Sequence, residues 1–273
     1  MSPSSAELLD LAVGVAVEAA DLVRARRLEG VEVSATKSSP VDVVTEVDRA
    51  TERLIFDRLI GARPDDGFVG EEGGRARSTS GVDWVVDPID GTVNFVYGIP
   101  SYAVSIAAAV DGETVAGVVL NVENRERFTA TLGGGAFLDG RRLQVADLDG
   151  TPLSQRLVGT GFSYLEKIKL LQTEAVGALL TEVRDIRRIG SAALDLCAVA
   201  AGRMDGYVEE ALNVWDRAAG ALVATEAGAV LETWPGVGGT DCVLVAPAGG
   251  FGEFRDVVRR AGFLAEDAER VDP

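Results

Sequence analysis

The chain has 273 residues, 47% hydrophobic and 25% charged, which is ordinary globular composition for one large or two moderate domains. Its formal net charge of −17 repels nucleic acid phosphates and anionic membranes, so we expect neither as a partner. Histidine is absent, which excludes a Ser-His-Asp triad, a phosphohistidine intermediate and a His-ligated zinc site.

The N-terminal segment predicts a helix that begins after a capping-box pattern, Ser4 with Glu7, and runs to about Arg27. Acidic residues interrupt its apolar stretch, so it predicts neither a signal peptide nor a membrane span. The two cysteines, Cys197 and Cys242, stand far apart in no metal-type spacing, as free thiols in a reducing compartment do. We therefore expect a cytoplasmic protein.

A polar turn at residues 37–40 separates this helix from a second one, which Thr45 caps. A short strand, residues 67–70, then leads directly into Glu71 and its neighbouring glutamate. The Gly-, Ser- and Arg-rich segment 73–83 that follows is typical of a mobile loop.

The stretch from Trp84 to Thr92, Trp-Val-Val-Asp-Pro-Ile-Asp-Gly-Thr, is the part of the chain on which we base the chemistry. Its apolar start predicts a buried strand that ends near Asp87, because the next residue is proline. Gly91 then permits a tight reversal, and a helix is predicted for residues 92–97. Carboxylates at such a place bind a hard cation, and the N–H groups at a helix start bind phosphate. The same pattern also suits a capped turn with two solvated acids.

Residues 102–143 predict an antiparallel meander, with Asp111-Gly112 and Asp139-Gly140 as turns, and residues 147–152 read as a linker. The second half alternates strands with helices, which favours an α/β layer. We predict helices at 164–182, from a Ser191 cap to about 203, at 215–228 and at 251–261, with strands at 157–160, 183–189, 204–208, 230–233 and 242–246. This division gives an N-terminal α+β domain, residues 1–148, that carries most of the candidate metal ligands, and a C-terminal α/β domain, residues 149–273, that completes the site.

Two further acidic positions stand beside Asp87 and Asp90. Alone, Glu71 is most simply a solvated loop acid, and Asp216 is an acid that complements a helix dipole. In one chain without histidine, three carboxylate-bearing turns could supply a site for two or three Mg²⁺ ions. Two such ions can clamp the attacking and leaving oxygens of an in-line displacement.

Three other sites are disfavoured. Cys197 and Arg203 have the spacing of a thiol phosphatase, but the residues between them lie in a predicted helix instead of a phosphate loop. Asp87 and Asp90 are three residues apart, whereas aspartyl-phosphate enzymes use acids two apart. The glycines at 133–135 precede a strand, not the helix that a dinucleotide loop requires.

Several motifs together resemble the inositol monophosphatase family, and the chain is most similar to its bacterial, in particular actinobacterial, inositol-1-monophosphatases. The motifs are Asp87-Pro88-Ile89-Asp90-Gly91-Thr92 with Asn94-Phe95, Gly70-Glu71-Glu72, Trp215-Asp216 with Ala218-Ala219-Gly220, Gly190-Ser191-Ala192-Ala193, and Lys37 followed by Asp42, Thr45 and Asp48. The resemblance implies a layered α/β fold, αβαβα of the sugar-phosphatase type, with the site between the two halves. It also implies Mg²⁺ dependence, lithium sensitivity and, usually, a homodimer that acts on a small-molecule phosphomonoester.

By the same resemblance, Glu71, Asp87 and the carbonyl of Ile89 would hold the first Mg²⁺. Asp87, Asp90 and Asp216 would hold the second, and Glu71 could reach a third, weaker ion through water. The implied reaction is hydrolysis by a metal-activated water without a covalent enzyme intermediate.

The implied catalytic residues are Glu71 and Thr92, which would orient the attacking water, with Asp48 paired to Thr92. The backbone of Gly91 and Thr92 would hold the phosphate. Lys37 would balance the charge of the metal site, or is a surface lysine in a polar turn. The full predicted substrate-binding set is Asp90, Gly91, Thr92, Arg188, Ser191, Ala192, Glu209 and Asp216.

Substrate choice stays open, because the segment after Gly161, which often borders the sugar pocket in this family, is short here. The alternatives are histidinol phosphate, a 3′-phosphoadenosine nucleotide or a sugar bisphosphate, and a regulatory protein of the same fold without turnover. Glu209, an acceptor for hydroxyls, favours a polyol.

Overall fold

The computed structural model describes residues 3–29, 33–36, 43–266 and 269–271. The elements of the first half are α1 (Ser5–Glu29), β1 (Val33–Thr36), β2 (Val43–Thr45), α2 (Glu46–Ala62), β3 (Gly67–Gly70), β4 (Arg75–Ala76), β5 (Val82–Asp90), α3 (Thr92–Tyr97), β6 (Ala103–Val110), β7 (Glu113–Asn121), β8 (Arg127–Thr131), β9 (Gly135–Leu138) and β10 (Arg141–Arg142). Those of the second half are β11 (Leu157–Thr160), α4 (Glu166–Leu180), β12 (Asp185–Arg187), α5 (Ala192–Ala200), β13 (Gly206–Glu210), α6 (Val214–Glu226), β14 (Ala229–Pro235), β15 (Asp241–Pro247) and α7 (Phe251–Ala261).

The strands form two large sheets and a small hairpin. The first sheet has the order β10-β9-β8-β7-β6-β5-β3-β4 and is antiparallel except where β3 runs parallel to β5. The second has the order β12-β11-β13-β15-β14, with a parallel part around β11 and an antiparallel part around β15. β1 and β2 pair with each other in the hairpin.

Helices and sheets alternate in five layers. α1 and α2 cover one face of the first sheet, α5 and α6 lie between the two sheets, and α4 and α7 cover the far face of the second sheet. Each of the four interfaces between neighbouring layers holds its own apolar cluster. This arrangement confirms the predicted αβαβα layering.

Small residues let α6 approach both the first sheet and its neighbouring helix α5. A Cβ atom on Gly117 of β7 would lie 3.0 Å from the Cα of Ala219 in α6. A Cβ atom on Gly220 would lie 3.0 Å from the carbonyl oxygen of Ala193 in α5. The Ala-Ala-Gly run of α6 therefore serves close helix–sheet and helix–helix packing.

Most helices and strands lie where capping and turn residues in the sequence predicted them. Both predicted caps are present, the Ser4–Glu7 capping box ahead of α1 and Thr45 at the start of α2, where Asp48 adds a reciprocal hydrogen bond that was not predicted. Asp111 and Gly112 have φ of 51° and 89°, as the hairpin prediction requires. No helix within the described ranges is long and apolar enough to cross a membrane.

Several element boundaries differ from the predictions. β5 does not end at Asp87 but continues to Asp90, because a shift of register between these residues places the proline in a bulge, where no ladder N–H is needed. β12 is shorter than predicted, β13 begins two residues later, and α4 is shorter at both ends. The segment 73–83 includes β4, which pairs with β3, and the β1–β2 hairpin was not predicted.

Candidate active site

A cavity of about 350 Å³ opens where the carboxyl end of β5 meets the first turns of α3, α5 and α6 and the ends of β11 and β13. Eleven of the residues predicted for the site line it: Glu71, Asp87, Ile89, Asp90, Gly91, Thr92, Arg188, Ser191, Ala192, Glu209 and Asp216. The twelfth, Asp48, lies behind the wall in contact with Thr92. Lys37 lies outside the described residues.

The bulge of β5 brings its two acids to the cavity. Asp87 is buried, and its Oδ1 accepts a hydrogen bond from the backbone N–H of Ile89 at 3.0 Å. The next residue of the turn, Gly91, has φ of 95°, and a Cβ there would lie 3.0 Å from the carbonyl oxygen of Ser101. Glycine is therefore required at the point where β5 passes into α3.

The acids in the cavity disfavour one another's charge. Burial raises the pKa of Asp87 well above its usual range, and the neighbouring charges of Glu71, Asp90 and Asp216 raise it further. Burial also raises the pKa of Asp216, followed by the charges of Asp90 and Glu71. Burial raises the pKa of Asp90 to about 6, against the opposing hydrogen bonds from Ser191 and Ala193. A bound cation would relieve this repulsion.

The donor set fits a hard divalent cation. Carboxylate and carbonyl oxygens are the ligands that Mg²⁺ takes, and each ion is held by one or two carboxylates with waters and substrate oxygens. Over the described part of the chain, no three acidic or cysteine side chains already surround one point as a preformed site. The number and identity of the ions therefore stay a prediction.

Glu52 of α2 fixes the turn that carries Glu71. Its carboxylate, almost fully buried, accepts hydrogen bonds from the backbone N–H of Glu72 at 2.7 Å and of Gly74 at 2.8 Å. The sequence reasoning missed this residue. Its signal is that a glutamate occupies the buried stripe of α2, three positions before Ile55.

Thr92 is held from behind by Asp48. The Thr92 hydroxyl lies 3.1 Å from Asp48 Oδ1 and 3.1 Å from the carbonyl oxygen of Ile89. Asp48 is itself fixed by the N–H and hydroxyl of Thr45, while burial raises its pKa. The predicted Thr92–Asp48 contact is thus present, and the role of this pair in orienting water stays a prediction.

Asp90 joins the two halves of the chain. It accepts hydrogen bonds from the Ser191 hydroxyl and from the N–H of Ala193, at 2.7 Å, both at the start of α5. Asn94 reinforces this junction, since its amide donates to the carbonyl oxygen of Ile189 at 2.9 Å. The Ser191 hydroxyl therefore binds Asp90 while Ser191 lines the cavity.

The side of the cavity away from Glu71 contains Arg188, Glu209 and a residue that the sequence reasoning missed, Asp195. Burial raises the pKa of Glu209 to about 7, against the hydroxyl of Tyr207, which donates to it, and the charge of Arg188. Asp195 lies three positions after Ala192 in a helix that is otherwise apolar, and this spacing is its signal. Cys197, on the same helix, is buried with a raised pKa, as expected of an interior thiol.

Comparisons with known proteins identify the family and the fold of this chain. The family model described as "Inositol monophosphatase family" matches residues 4–256. An inositol-1-monophosphatase of Mycobacterium bovis is 51% identical over 265 residues, covering 91% of each chain. The Nus factor SuhB of Escherichia coli K12 is 41% identical over 234 residues, which cover 84% of this chain and 86% of the relative. The solved structure of Mycobacterium tuberculosis SuhB superposes with a TM-score of 0.81 at 45% identity, covering 96% of this chain and 99% of that one.

Proposed function

Because this chain belongs to the inositol monophosphatase family, we propose that it is a Mg²⁺-dependent phosphomonoesterase that hydrolyses inositol monophosphate to inositol and phosphate. The single observation that carries the proposal is the cavity that brings Glu71, Asp87, Asp90 and Asp216 together, where the charges of the other three raise the pKa of buried Asp87. A homodimer, lithium sensitivity and a cytoplasmic location remain expectations from the family resemblance.

We assign the ions to oxygen atoms that line the cavity. Glu71, Asp87 and the Ile89 carbonyl would hold one ion, and Asp87 with Asp90 and Asp216 would hold a second. Bound Mg²⁺ supplies Lewis acidity, which lowers the pKa of water and offsets negative charge on the phosphoryl group.

The remaining steps belong to side chains and backbone groups of this chain. Glu71 and the Thr92 hydroxyl would orient the attacking water, and Asp48 would hold Thr92 in place. The backbone N–H groups of Gly91 and Thr92 would receive the phosphate oxygens. Opposite them, Arg188 and Glu209 would contact the leaving alcohol.

A phosphate-release assay tests the proposal. The substrates are inositol monophosphates, histidinol phosphate, a 3′-phosphoadenosine nucleotide and a sugar bisphosphate, each with Mg²⁺ and with excess chelator. We expect fastest turnover of an inositol monophosphate and loss of turnover in chelator. Turnover indifferent to chelator would contradict the metal-assisted mechanism, and preference for another substrate would keep the chemistry and correct the substrate.

A second candidate is a regulatory protein of the same fold. It is favoured by one observation, the E. coli relative named a Nus factor. The net charge of −17 disfavours direct binding to nucleic acid. Absence of turnover on every substrate with Mg²⁺ present would support this candidate.

A further inference from the structure

Asp195 is a buried acid in the wall of the cavity to which neither the proposed mechanism nor the family motifs give a role. It belongs to the first turns of α5, whose other buried side chains, such as Leu196 and Val199, are apolar. The i, i+3 spacing places Asp195 on the same face as Ala192, and both line the cavity. Only 1% of Asp195 is exposed, so it is not a solvated surface acid.

The Oδ1 atom of Asp195 is buried and has no hydrogen-bond partner among the residues that the structure describes. A buried acceptor without a partner costs stability, whereas buried acids outside the cavity, such as Asp66, accept several hydrogen bonds. Asp66, equally buried, accepts hydrogen bonds from Arg63, Ser80 and Trp84. A carboxyl kept in the cavity wall without such donors is a group positioned for a ligand.

The neighbours of Asp195 are already committed elsewhere. The Tyr207 hydroxyl donates to Glu209, although its pKa responds to the charge of Asp195 as well. Gly161 packs tightly on Glu209, since a Cβ there would lie 2.0 Å from the Glu209 carboxyl carbon. Glu209 is thereby fixed between Tyr207 and the end of β11. Among the described residues of this wall, Asp195 is the acid whose buried carboxyl oxygen has no hydrogen-bond partner.

The charges around Asp195 select the kind of donor. Burial raises its pKa, the charges of Glu209 and Asp90 raise it further, and the guanidinium of Arg188 opposes them. A cationic ligand would meet Arg188, and an anionic one would meet Glu209. A neutral hydroxyl donates to the open oxygen without either repulsion.

We propose that Asp195 is a specificity-determining residue whose buried carboxyl oxygen accepts a hydrogen bond from a hydroxyl of a polyol leaving group. The inference rests on the proposed function and deepens it. Asp195 does not act on the phosphoryl group, so it affects recognition of the alcohol and not the chemistry of cleavage.

The test compares Asp195→Leu and Asp195→Asn with the unchanged enzyme on two substrates in Mg²⁺. Inositol 1-phosphate carries neighbouring hydroxyls, whereas p-nitrophenyl phosphate presents the same phosphate on an alcohol without them. For Asp195→Leu, we expect KM for inositol 1-phosphate to rise roughly tenfold, the loss of one buried hydrogen bond, with p-nitrophenyl phosphate kinetics within about twofold. Asp195→Asn retains an acceptor oxygen and should restore most of the affinity.

Thermal unfolding distinguishes a ligand-binding role of Asp195 from a structural one, because the two roles predict opposite changes in Tm. Removing an open buried carboxyl should raise the Tm of the metal-free protein for Asp195→Leu. The matched control, Asp66→Asn, weakens a saturated acid away from the cavity and should lower Tm without changing the ratio of the two KM values.

Equal losses on both substrates, or a lower Tm for both Asp195 variants, would overturn the inference. Failure of the proposed function has a different signature, in which the unchanged enzyme cleaves p-nitrophenyl phosphate but no inositol phosphate. The comparison then uses whichever polyhydroxylated phosphomonoester the enzyme does cleave, and a fall in Tm still overturns the role of Asp195. If Asp195→Leu does not fold, the inference is likewise overturned, because the side chain then serves the fold.

Discussion

Buried acids in two parts of this molecule have opposite surroundings. Around the turns of the first sheet, Glu52 and Asp66 accept hydrogen bonds from backbone and side-chain donors. In the cavity, Asp87, Asp195 and Asp216 lie among other acids, and burial with like charge raises their pKa values. The donors around the first group offset the cost of burying its acids, whereas like charge adds to that cost in the second group, where we expect a bound ligand to supply the missing partners.

Removing the central acid of the cavity should have the largest effect. Asp87→Asn deletes the carboxylate that we assign to both ions, so we expect turnover to fall by on the order of 10³-fold, comparable to losing a main electrostatic group in other enzymes. Tm of the metal-free protein should rise, because a repelled buried acid is gone. Phosphate release and thermal unfolding measure the two effects, and near-normal turnover would refute the bridging role.

The second-largest effect concerns how stability depends on pH, because a cavity acid with a raised pKa destabilises the fold when it ionises. Because the pKa of Glu209 is raised from 4.5 to about 7, the folded protein binds a proton more tightly than the unfolded chain does. The contribution of protonated Glu209 to the free energy of unfolding is therefore fully present below about pH 4.5 and is lost as pH rises towards 7. Glu209→Gln should flatten this fall by up to about 3 kcal/mol, measured by urea unfolding of metal-free protein at pH 5 and pH 7.5. Parallel curves for the variant and the unchanged protein would contradict the raised pKa.

Removing the carboxylate of Glu52 should separate its effect on the position of Glu71 from its effect on the stability of the fold. Glu52→Ala leaves the N–H groups of Glu72 and Gly74 without their acceptor, so we expect a loss of about 1–3 kcal/mol in the free energy of unfolding. Turnover should also fall by about 10–100-fold, because the turn that carries Glu71 loosens. Asp66→Ala is the matched control, with a comparable stability loss and unchanged turnover. Equal effects of the two variants on turnover would show that Glu52 does not position Glu71.

The smallest effect concerns the hydrogen bond from Tyr207 to Glu209, where a cavity acid has a side-chain donor. The Tyr207 hydroxyl lowers the pKa of Glu209, so Tyr207→Phe should raise that pKa further. The cost in stability at pH 7.5 should be about 0.5–1.5 kcal/mol, the value of one hydrogen bond. The measurement is the pH at which the fall in stability levels off, which follows the folded-state pKa of Glu209, compared between the variant and the unchanged protein. A move of this pH to a lower value would contradict the assignment.

The sequence predicted those features whose signals are local. The helix Thr92–Tyr97 and the strands 67–70 and 157–160 have the predicted bounds, because turn residues flank each of them. The convergence of Asp87 and Asp216 was predicted through family motifs, since helix starts and strand ends reveal nothing by themselves about which of them meet.

Features that depend on tertiary partners escaped prediction. The apolar pattern of a buried helix face does not predict a glutamate such as Glu52, whose role becomes clear only from the turn that it binds. Asp195 likewise reads as an ordinary N-terminal helix acid until its neighbours across the cavity are placed. The passage of β5 beyond Asp87 depends on β6, whose register accommodates the bulge.

The position of α5 and α6 between the two sheets affects how the protein is built. These helices carry Ser191 and Asp216 into the cavity, yet their apolar faces are buried against strands from both ends of the chain. Neither half alone therefore presents a finished cavity, so we expect docking of the halves and assembly of the acids to be coupled. During synthesis, the acids of β5 emerge well before the partners that α6 supplies, so we expect the proposed binding of a divalent ion only in the completed chain.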